Sequence, residues 1–456
     1  MTKDLDIIIL AAGLGTRMKS DTIKILHRAA GRPIIDYVLD LASEISDRPP
    51  VMVVGHQRDA VQQAVGTRAR FAVQEPQLGT GHAVLQALPL CSQARVLILS
   101  GDVPLTRPET LARLLDEHAR AKNGLTVLTM RVVGENPYGR IVRDADGSVS
   151  RIVEVRDASD REKMIDEVNA GIYVFEREHL AANLEKLSTN NAQGEYYLTD
   201  LVGTLRGGGH RVGAVVADQW VEAIGVNSRA ELAMVETLIQ QRVISRLMDE
   251  GVTFRNPNTV VIDSTVSIGR DTVIYPFVTL EGKTQIASRC VIEPGVHLIN
   301  VTAGENVHLK TGTVAEDAII EDDAAVGPYA HLRPGTKLGR RVKVGNFVET
   351  KKAVFGDGAK ASHLSYIGDA EVGADVNIGA GTITCNYDGV NKHKTTIEDG
   401  VFIGSDSQLV APVRIGKGAY VGAGSTITKD VPPDALALSR TPQRVVEGWA
   451  KKRRKE

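Results

Sequence analysis

Ile262, Ile268, Ile274, Leu280, Ile286, Ile292 and Leu298 stand six residues apart, an unbroken aliphatic period in the second half of the chain. The period resumes at Ile320, Val326, Leu332, Leu338 and Val344, shifts, and passes Val372 and Ile378. It closes as Ile397, Ile403, Leu409, Ile415, Val421 and Ile427. Glycine often follows the aliphatic residue, as in Ile268-Gly269, Val326-Gly327, Ile403-Gly404 and Val421-Gly422. A helix repeats every ~3.6 residues and a half-buried strand every ~2, so a hexad period is neither. It is the mark of a parallel β-helix, in which each hexad supplies one short strand and one corner.

The chain ahead of this solenoid alternates strand and helix. Ile7 to Leu10, Val51 to Val54 and Arg95 to Leu99 read as strands. Arg58 to Val65 reads as a helix, and so does Pro33 to Ser43, with Ile34, Ile35, Val38 and Leu41 inward. This alternation predicts an α/β domain with a largely parallel sheet, whose ligands bind beyond the carboxyl ends of the strands. Between the halves, Leu232, Val235, Ile239, Val243 and Leu247 form a helical face, with a capping box at Ser228 and Glu231 and a stop at Gly251. Spacing leaves open whether this helix links two domains or packs within one. The expected division is 1–227, a linking helix at 228–250, and 251–456.

Composition narrows the class of function. A chain of 456 residues is too long for one core, and its 43% hydrophobic content is ample for packing. Aromatic residues, at 4%, are scarce, which suits short rungs that stack aliphatic side chains. A net charge of -2 argues against nucleic acid as a general partner, because phosphate neutralisation needs clustered cations. The basic run Lys451, Lys452, Arg453, Arg454, Lys455 reads as a solvated tail. Cys91, Cys290 and Cys385 are too few and scattered for a disulfide framework or a zinc site. No signal peptide and no membrane-spanning stretch are visible, so a cytoplasmic protein without membrane contact is expected.

Two stretches follow predicted strands. In Leu10-Ala11-Ala12-Gly13-Leu14-Gly15-Thr16-Arg17, small residues let backbone N–H groups approach an anion. The stretch is neither a dinucleotide fingerprint, since Met18 holds the third glycine position, nor a P-loop, since no Gly-Lys-Ser/Thr follows. Arg17 and Lys24 are the cations beside it. On spacing alone an ordinary strand-to-helix turn is an equal reading. In Leu99-Ser100-Gly101-Asp102, the aspartate could meet a phosphate-bound Mg²⁺ or simply cap a turn.

The ordered set of motifs is more specific. The Gly13 loop with Lys24, then Gln74, Gly79-Thr80-Gly81-His82 and Gly101-Asp102, resembles the sugar-1-phosphate nucleotidyltransferases. Asn136-Pro137-Tyr138-Gly139-Arg140, Glu154, Asn169-Ala170-Gly171-Ile172 and Gly225-Val226-Asn227-Ser228 continue the match. With the solenoid, nearly the whole chain resembles the bacterial bifunctional N-acetylglucosamine-1-phosphate uridylyltransferase/glucosamine-1-phosphate acetyltransferase family. The implied fold is a Rossmann-like α/β nucleotidyltransferase domain, a linking helix, and a left-handed parallel β-helix assembled as a homotrimer with shared acetyltransferase sites.

The resemblance also implies roles. Leu10, Ala11, Ala12, Gly13, Gln74, Gly79 and Thr80 would hold the uridine nucleotide, with Ser100 and Gly101 beside them. Arg17 and Lys24 would neutralise the triphosphate. Gly139, Glu154 and Asn169 would hold N-acetylglucosamine, and Asp102 and Asn227 would ligate Mg²⁺. UTP and N-acetylglucosamine-1-phosphate are the implied substrates of this half. The family usually has proline where Ile23 stands, and often tyrosine where Ser100 stands. Ile23 is expected to alter the stiffness of the loop and not its charge, and Ser100 puts one nucleotide contact in question.

In the solenoid, insertions are extruded as loops that often carry function. The late interruption between Ile378 and Ile397 contains Cys385-Asn386-Tyr387-Asp388-Gly389, and the irregular stretch from Val344 to Ile367 contains Lys351, His363 and Tyr366. His308, His331 and His393 read as ordinary surface or core histidines, and Cys385 as an inert thiol. His363 stands apart because Ser362-His363-Leu364-Ser365-Tyr366 resembles the family's acetyltransferase site. By that resemblance His363 is the general base, a task for which imidazole is suited near neutral pH. Arg333, Lys351, Tyr366 and Asn377 would bind glucosamine-1-phosphate, with Asn386 holding the sugar. Ala380, Tyr387, Ser405, Ala423 and Arg440 would contact acetyl-CoA. The alternative is a single-function nucleotidyltransferase whose β-helix is only a scaffold.

Overall fold

The computed structural model describes residues 4–13 and 15–454; Leu14 of the glycine loop and Lys455 of the basic tail lie outside them. Two compact units divide between Ile239 and Gln240.

The first unit is built on a nine-stranded sheet. Its main path runs Val212–Val216, Leu125–Arg131, Glu167–Glu176, Arg95–Ser100, Leu5–Leu10, Val51–Val54, Arg70–Val73. Strands 5–10, 51–54, 70–73 and 95–100 are parallel, as expected. Glu167–Glu176 runs antiparallel to both its neighbours, so the sheet is mixed. Along the first strand Leu5, Ile7 and Ile9 enter one core and Ile8 the other, the alternation that lets a central strand feed two helical layers. Each such aliphatic side chain, fully buried, contributes about 1.5–3 kcal/mol relative to exposure. The helix expected from Pro33 spans Ile34–Ile45 and carries Ile34, Ile35, Val38 and Leu41 on its buried face, with Pro33 as its cap residue. Leu5–Leu10 has one parallel neighbour on each side, 51–54 and 95–100, so the crevice past Leu10 is the topological switch point.

The helix Arg229–Asp249 passes through the division between the units. Glu231 N–H donates to Ser228 Oγ at 3.3 Å, and the Glu231 carboxylate accepts Asn227 N–H at 2.8 Å. At the other end Gly251 adopts φ 96°, and the N–H groups of Gly251 and Val252 return to Met248 and Leu247 carbonyls at 3.0 Å. That is a Schellman stop, which glycine makes without strain. Ala30 N–H of the first unit donates to Glu236, and Gln240 Oε1 accepts Ile262 N–H in the second.

The second unit is the parallel β-helix. Every hexad aliphatic residue named above is buried. Parallel registers such as Ile262↔Leu280, Leu280↔Leu298 and Leu298↔Ala315 stack equivalent positions one rung apart. The breaks in the period are not breaks in the fold. Alanine, leucine and threonine continue the inward row at Ala303, Leu309, Ala315, Thr350, Ala361 and Thr384, all buried. The register slips where a side has five residues instead of six, as from Leu298 to Ala303, Ala315 to Ile320, Thr350 to Phe355 and Ile367 to Val372. The stretch from Val344 to Ile367 contains one such short side, Thr350 to Phe355, so its disturbed hexads are a slip of phase within a continuous solenoid. The interruption before Ile397 is a true insertion, a loop past Cys385 clipped by a Tyr387–Lys392 bridge. The basic tail begins as a short exposed helix, Trp449–Arg453.

Candidate active sites

The first site forms where the central strands end. Gly101 N–H donates to Leu10 O at 2.9 Å, which joins the glycine loop to the Asp102 turn, and Ala11 N–H donates to Val53 O at 3.0 Å, which ties the loop to the strand 51–54. A cleft of about 410 Å³ opens there, lined by Leu10, Ala11, Ala12, Gly13, Lys24, Gln74, Gly79, Thr80, Ser100 and Asp102. Ile25, Gln77, Ala83 and Glu195 complete its wall, residues that no motif had singled out. Gln77 Nε2 donates to Ala12 O at 2.6 Å and so holds the loop backbone. Gln74 Nε2 donates to Gly79 O at 2.9 Å, and Gly79 has φ 103°. A Cβ on Gly79 would lie 2.7 Å from Tyr196 O, so only glycine lets this turn pack.

Charge gathers at the cleft's floor. Lys24 Nζ donates to Asp102 Oδ2 at 2.5 Å and to Asn227 Oδ1 at 3.0 Å. Arg17, beside the loop, is exposed and makes no ion pair among the described residues. Gly139, Glu154 and Asn169 form a neighbouring group. Asn169 N–H donates to Gly139 O at 2.8 Å, and a Cβ on Gly139 would lie 3.4 Å from the Glu154 carboxyl. Asn169 Nδ2 donates to Tyr173 Oη at 2.6 Å. Burial pushes the Glu154 carboxyl above its ordinary range, against the opposing hydrogen bond from Thr199. An acid raised on folding costs stability once pH exceeds its unfolded value. Glu154→Gln is therefore expected to raise the melting temperature at pH 7 and to give no gain below about pH 4, where the unfolded carboxyl is protonated. Melting curves at the two pH values check this.

The second site follows from rung register. Asn346 pairs with His363, and Ala361↔Ile378, Ile378↔Ile403 and Ile403↔Val421 continue the same strand column. Two residues past each lie Asn346, His363, Ala380, Ser405 and Ala423, one above another. Rungs are spaced about 4.8 Å apart, so the row from His363 to Ala423 spans roughly 14 Å. Arg440 Nη1 closes it by donating to Ala423 O at 2.8 Å. A Cβ on Gly345 would fall 1.8 Å from Ser362 O, so glycine there lets the His363 rung close on the one below. His363 Nδ1 lies 2.7 Å from Asn346 Oδ1. Because that oxygen can only accept, the contact suits the tautomer protonated at Nδ1, in which Nε2 is the nitrogen open to a proton.

Around the corner, Arg333, Lys351, Tyr366 and Asn386 lie together on the other sheet. Glu349 pairs with Tyr366 in register, and Arg333 Nη1 bonds Glu349 Oε1 at 2.8 Å. Asn386 Nδ2 donates to Asp369 Oδ2 at 2.5 Å and to Tyr366 Oη at 3.4 Å. Tyr387, next in the loop, is exposed, with its hydroxyl on Gly389 O. Asn377 is separate, paired in register with Lys360 and Phe402 on the sheet that carries His363. His308, His331 and His393 each face a carboxylate, as ordinary surface histidines do. Burial raises the Cys385 thiol, which fits an inert cysteine.

Lys392 was missed in the sequence because it sits in the loop without a motif. Contact with Lys392, and the repulsion of its ammonium, hold Lys351 below the usual lysine range. The Arg333 guanidinium is paired with Glu349, and the two ammonium groups beside it suit a shared anion. Lys392→Gln is expected to raise the KM for the phosphorylated amino sugar by roughly ten- to a hundredfold with little change in kcat, loss of one charge-assisted bond being worth about 1.5–3 kcal/mol. Initial rates against sugar phosphate concentration check it.

Residues 7–193 match the MobA-like NTP transferase domain family, and residues 317–352 and 394–429 match the bacterial transferase hexapeptide (six repeats) family. The chain is 52% identical over 451 residues to the bifunctional protein GlmU of Trichlorobacter lovleyi, covering 98% of each. It is 53% identical over 450 residues to that of Syntrophotalea carbinolica, covering 98% of this chain and 97% of the relative. The chain belongs to the bifunctional GlmU family. As a GlmU protein it is a uridylyltransferase and an acetyltransferase of UDP-N-acetylglucosamine synthesis, with UTP and acetyl-CoA as substrates. Both departures from the GlmU pattern now have a local account. Ile23 is buried (4% exposed) and holds φ -57°, a value proline would impose, so packing here fixes what a proline ring would fix. Ser100 lines the cleft and turns its hydroxyl to Gly171 O at 3.2 Å. Among the described residues, no helix is long and apolar enough to cross a membrane.

Proposed function

We propose that the cleft at Gly13, Lys24 and Asp102 transfers the uridylyl group of UTP, and that the row at His363 acetylates glucosamine-1-phosphate. The product of the second site, N-acetylglucosamine-1-phosphate, is the acceptor at the first. The observation that carries the two-site reading is the His363 ring, held at Nδ1 by Asn346 and aligned in register with Ala380, Ser405 and Ala423. A scaffold has no use for that row.

In uridylyl transfer a phosphate oxygen of N-acetylglucosamine-1-phosphate attacks the α-phosphorus of UTP, and the bond to the β-phosphate oxygen breaks as pyrophosphate leaves. Two anions must meet, so positioning and charge neutralisation supply the catalysis. Leu10 to Gly13, Gln74, Gly79, Thr80, Ser100 and Gly101 hold the nucleotide; Gly139, Glu154 and Asn169 hold the sugar. Arg17 and Lys24 neutralise the triphosphate. Asp102 and Asn227 offer a carboxylate and an amide oxygen, a hard donor set that suits Mg²⁺, and here both face one ammonium cation. Bound there, Mg²⁺ supplies further charge neutralisation to the phosphates.

In acetyl transfer the amine of glucosamine-1-phosphate attacks the thioester carbonyl. His363 Nε2 takes the proton, the carbonyl re-forms, and coenzyme A leaves as the thiolate. Arg333 and Lys351 face the sugar phosphate, joined by Tyr366, Asn377 and Asn386. The roughly 14 Å row through Ala380, Ser405 and Ala423 to Arg440 suits an elongated acyl carrier, to which the exposed Tyr387 of the inserted loop adds a contact. The Ser405 hydroxyl is available to the oxyanion.

Division of the glucosamine-1-phosphate set between two sheets supports a homotrimer in which neighbouring chains complete each site. Exposed apolar pairs on the solenoid, the stacked Tyr329 with Phe347 and Phe402 with Tyr420, support the same assembly. The proposed domains are 1–227 and 251–456 with 228–250 as the link, and the proposed compartment is the cytoplasm, in keeping with three free cysteines. The test is thiol release from acetyl-CoA on adding glucosamine-1-phosphate without UTP. Release that depends on the amino sugar is expected; none from folded protein would reduce the solenoid to a scaffold.

A further inference from the structure

Lys24 occupies the place that a metal ion would need. Its Nζ is 2.5 Å from Asp102 Oδ2 and 3.0 Å from Asn227 Oδ1. The two acceptors are held from behind. Asp102 O accepts Val226 N–H at 2.9 Å, and Asn227 is fixed by its N–H on Glu231 and its Nδ2 on Gly225 O at 3.2 Å. A divalent cation drawn to these oxygens would meet the ammonium at contact distance, and two like charges at that separation repel strongly in a site where both side chains are mostly shielded from water.

We propose that Lys24 is the resident cation of this site in the nucleotide-free protein, and that it keeps a divalent ion out until a triphosphate draws the ammonium away. The proposal rests on the reading of Asp102 and Asn227 as metal ligands. The backbone of Lys24 is pinned while its stem is not. Lys24 opens a short turn of helix between the buried Ile23 and Ile25, and its Cβ lies 2.8 Å from where a Cβ on Gly15 would stand. Only the four-carbon stem is left to swing, and Lys24 lines the same cleft as Gly13. A phosphate entering beside the glycine loop offers the ammonium new oxygens and frees the old ones for the metal. Metal loading is thereby coupled to nucleotide binding, and the site avoids holding a tightly bound ion that no phosphate shares.

The test is Mn²⁺ binding to the full-length, nucleotide-free protein, followed by the electron paramagnetic resonance signal of the free ion. Lys24→Met, which keeps the stem and removes the charge, is expected to bind Mn²⁺ at least about tenfold more tightly than wild type, since it leaves a shielded carboxylate unpaired. The double variant Lys24→Met/Asp102→Asn is expected to lose that gain. With UTP, the water-proton relaxation enhancement of protein-bound Mn–UTP is compared between wild type and Asp102→Asn. If Asp102→Asn weakens the UTP complex but Lys24→Met binds the free ion no better than wild type, the metal site stands and the guarding role of Lys24 is overturned. If Asp102→Asn leaves the UTP complex unchanged, the ligand assignment falls and the proposal falls with it.

Discussion

Asp102→Ala is expected to lower uridylyl transfer by at least about a thousandfold and to leave acetyl transfer at the wild-type rate. Asp102 supplies a carboxylate to the cleft proposed to hold the nucleotide, bonded to Lys24 and adjacent to Asn227. Removing it deletes an oxygen that would hold Mg²⁺ and releases Lys24 from its anchor, so two of the three cationic aids to the triphosphate are disturbed together. Metal and cation stabilisation of a developing phosphoryl charge is worth several kcal/mol, and each 1.36 kcal/mol is about tenfold in rate. Pyrophosphate release and thiol release, measured on the same preparation, separate the two activities. The fold should tolerate the change, because the turn is held by main-chain bonds from Gly101 to Leu10 and from Val226 to Asp102. Loss of both activities from folded protein would overturn the independence of the two sites.

His363→Ala is the mirror experiment. Acetyl transfer should fall by roughly 10²–10⁴, the usual contribution of a positioned general base, while uridylyl transfer is unchanged. The side chain is exposed at a solenoid corner, and its backbone is held by neighbours, Ser365 Oγ donating to His363 O at 2.8 Å. Truncation therefore removes a proton acceptor without opening a cavity in the stacked core. The KM for acetyl-CoA should change little, since Ala380, Ser405, Ala423 and Arg440 remain in place. A variant that kept its rate would leave the proton to another group, and the row of residues in register with His363 would lose its catalytic reading.

The solenoid was legible because its physics is one-dimensional. Each rung buries the same positions, so the aliphatic hexads report the inward row directly, and all of those residues are buried. Where alanine or threonine takes the inward place, as at Ala303 and Thr350, the row continues but an aliphatic period cannot see it. The five-residue sides hid it further by shifting the phase. The α/β half was legible strand by strand, yet the antiparallel course of Glu167–Glu176 was not, because strand direction is set by pairing across the sheet and not by local propensity.

The sequence by itself determined the two architectures, the family, and the residue types able to do each chemistry, because periodicity and ordered motifs are local properties of the chain. It also named Asp102, Asn227, Lys24 and His363. Only the tertiary structure decided how these act on one another. Asn346, seventeen residues before His363, suits the tautomer with Nε2 open to a proton, since a rung of that length brings the two side chains to 2.7 Å. Lys392 joins Lys351 because an inserted loop folds back over the next face. Lys24 and Asn227, 203 positions apart in sequence, meet beside Asp102 because the fold brings three distant chain segments to the end of the central strands. Hydrogen bonds and ion pairs reach only a few ångströms, and distances of that size between residues far apart in sequence exist only once the chain has folded.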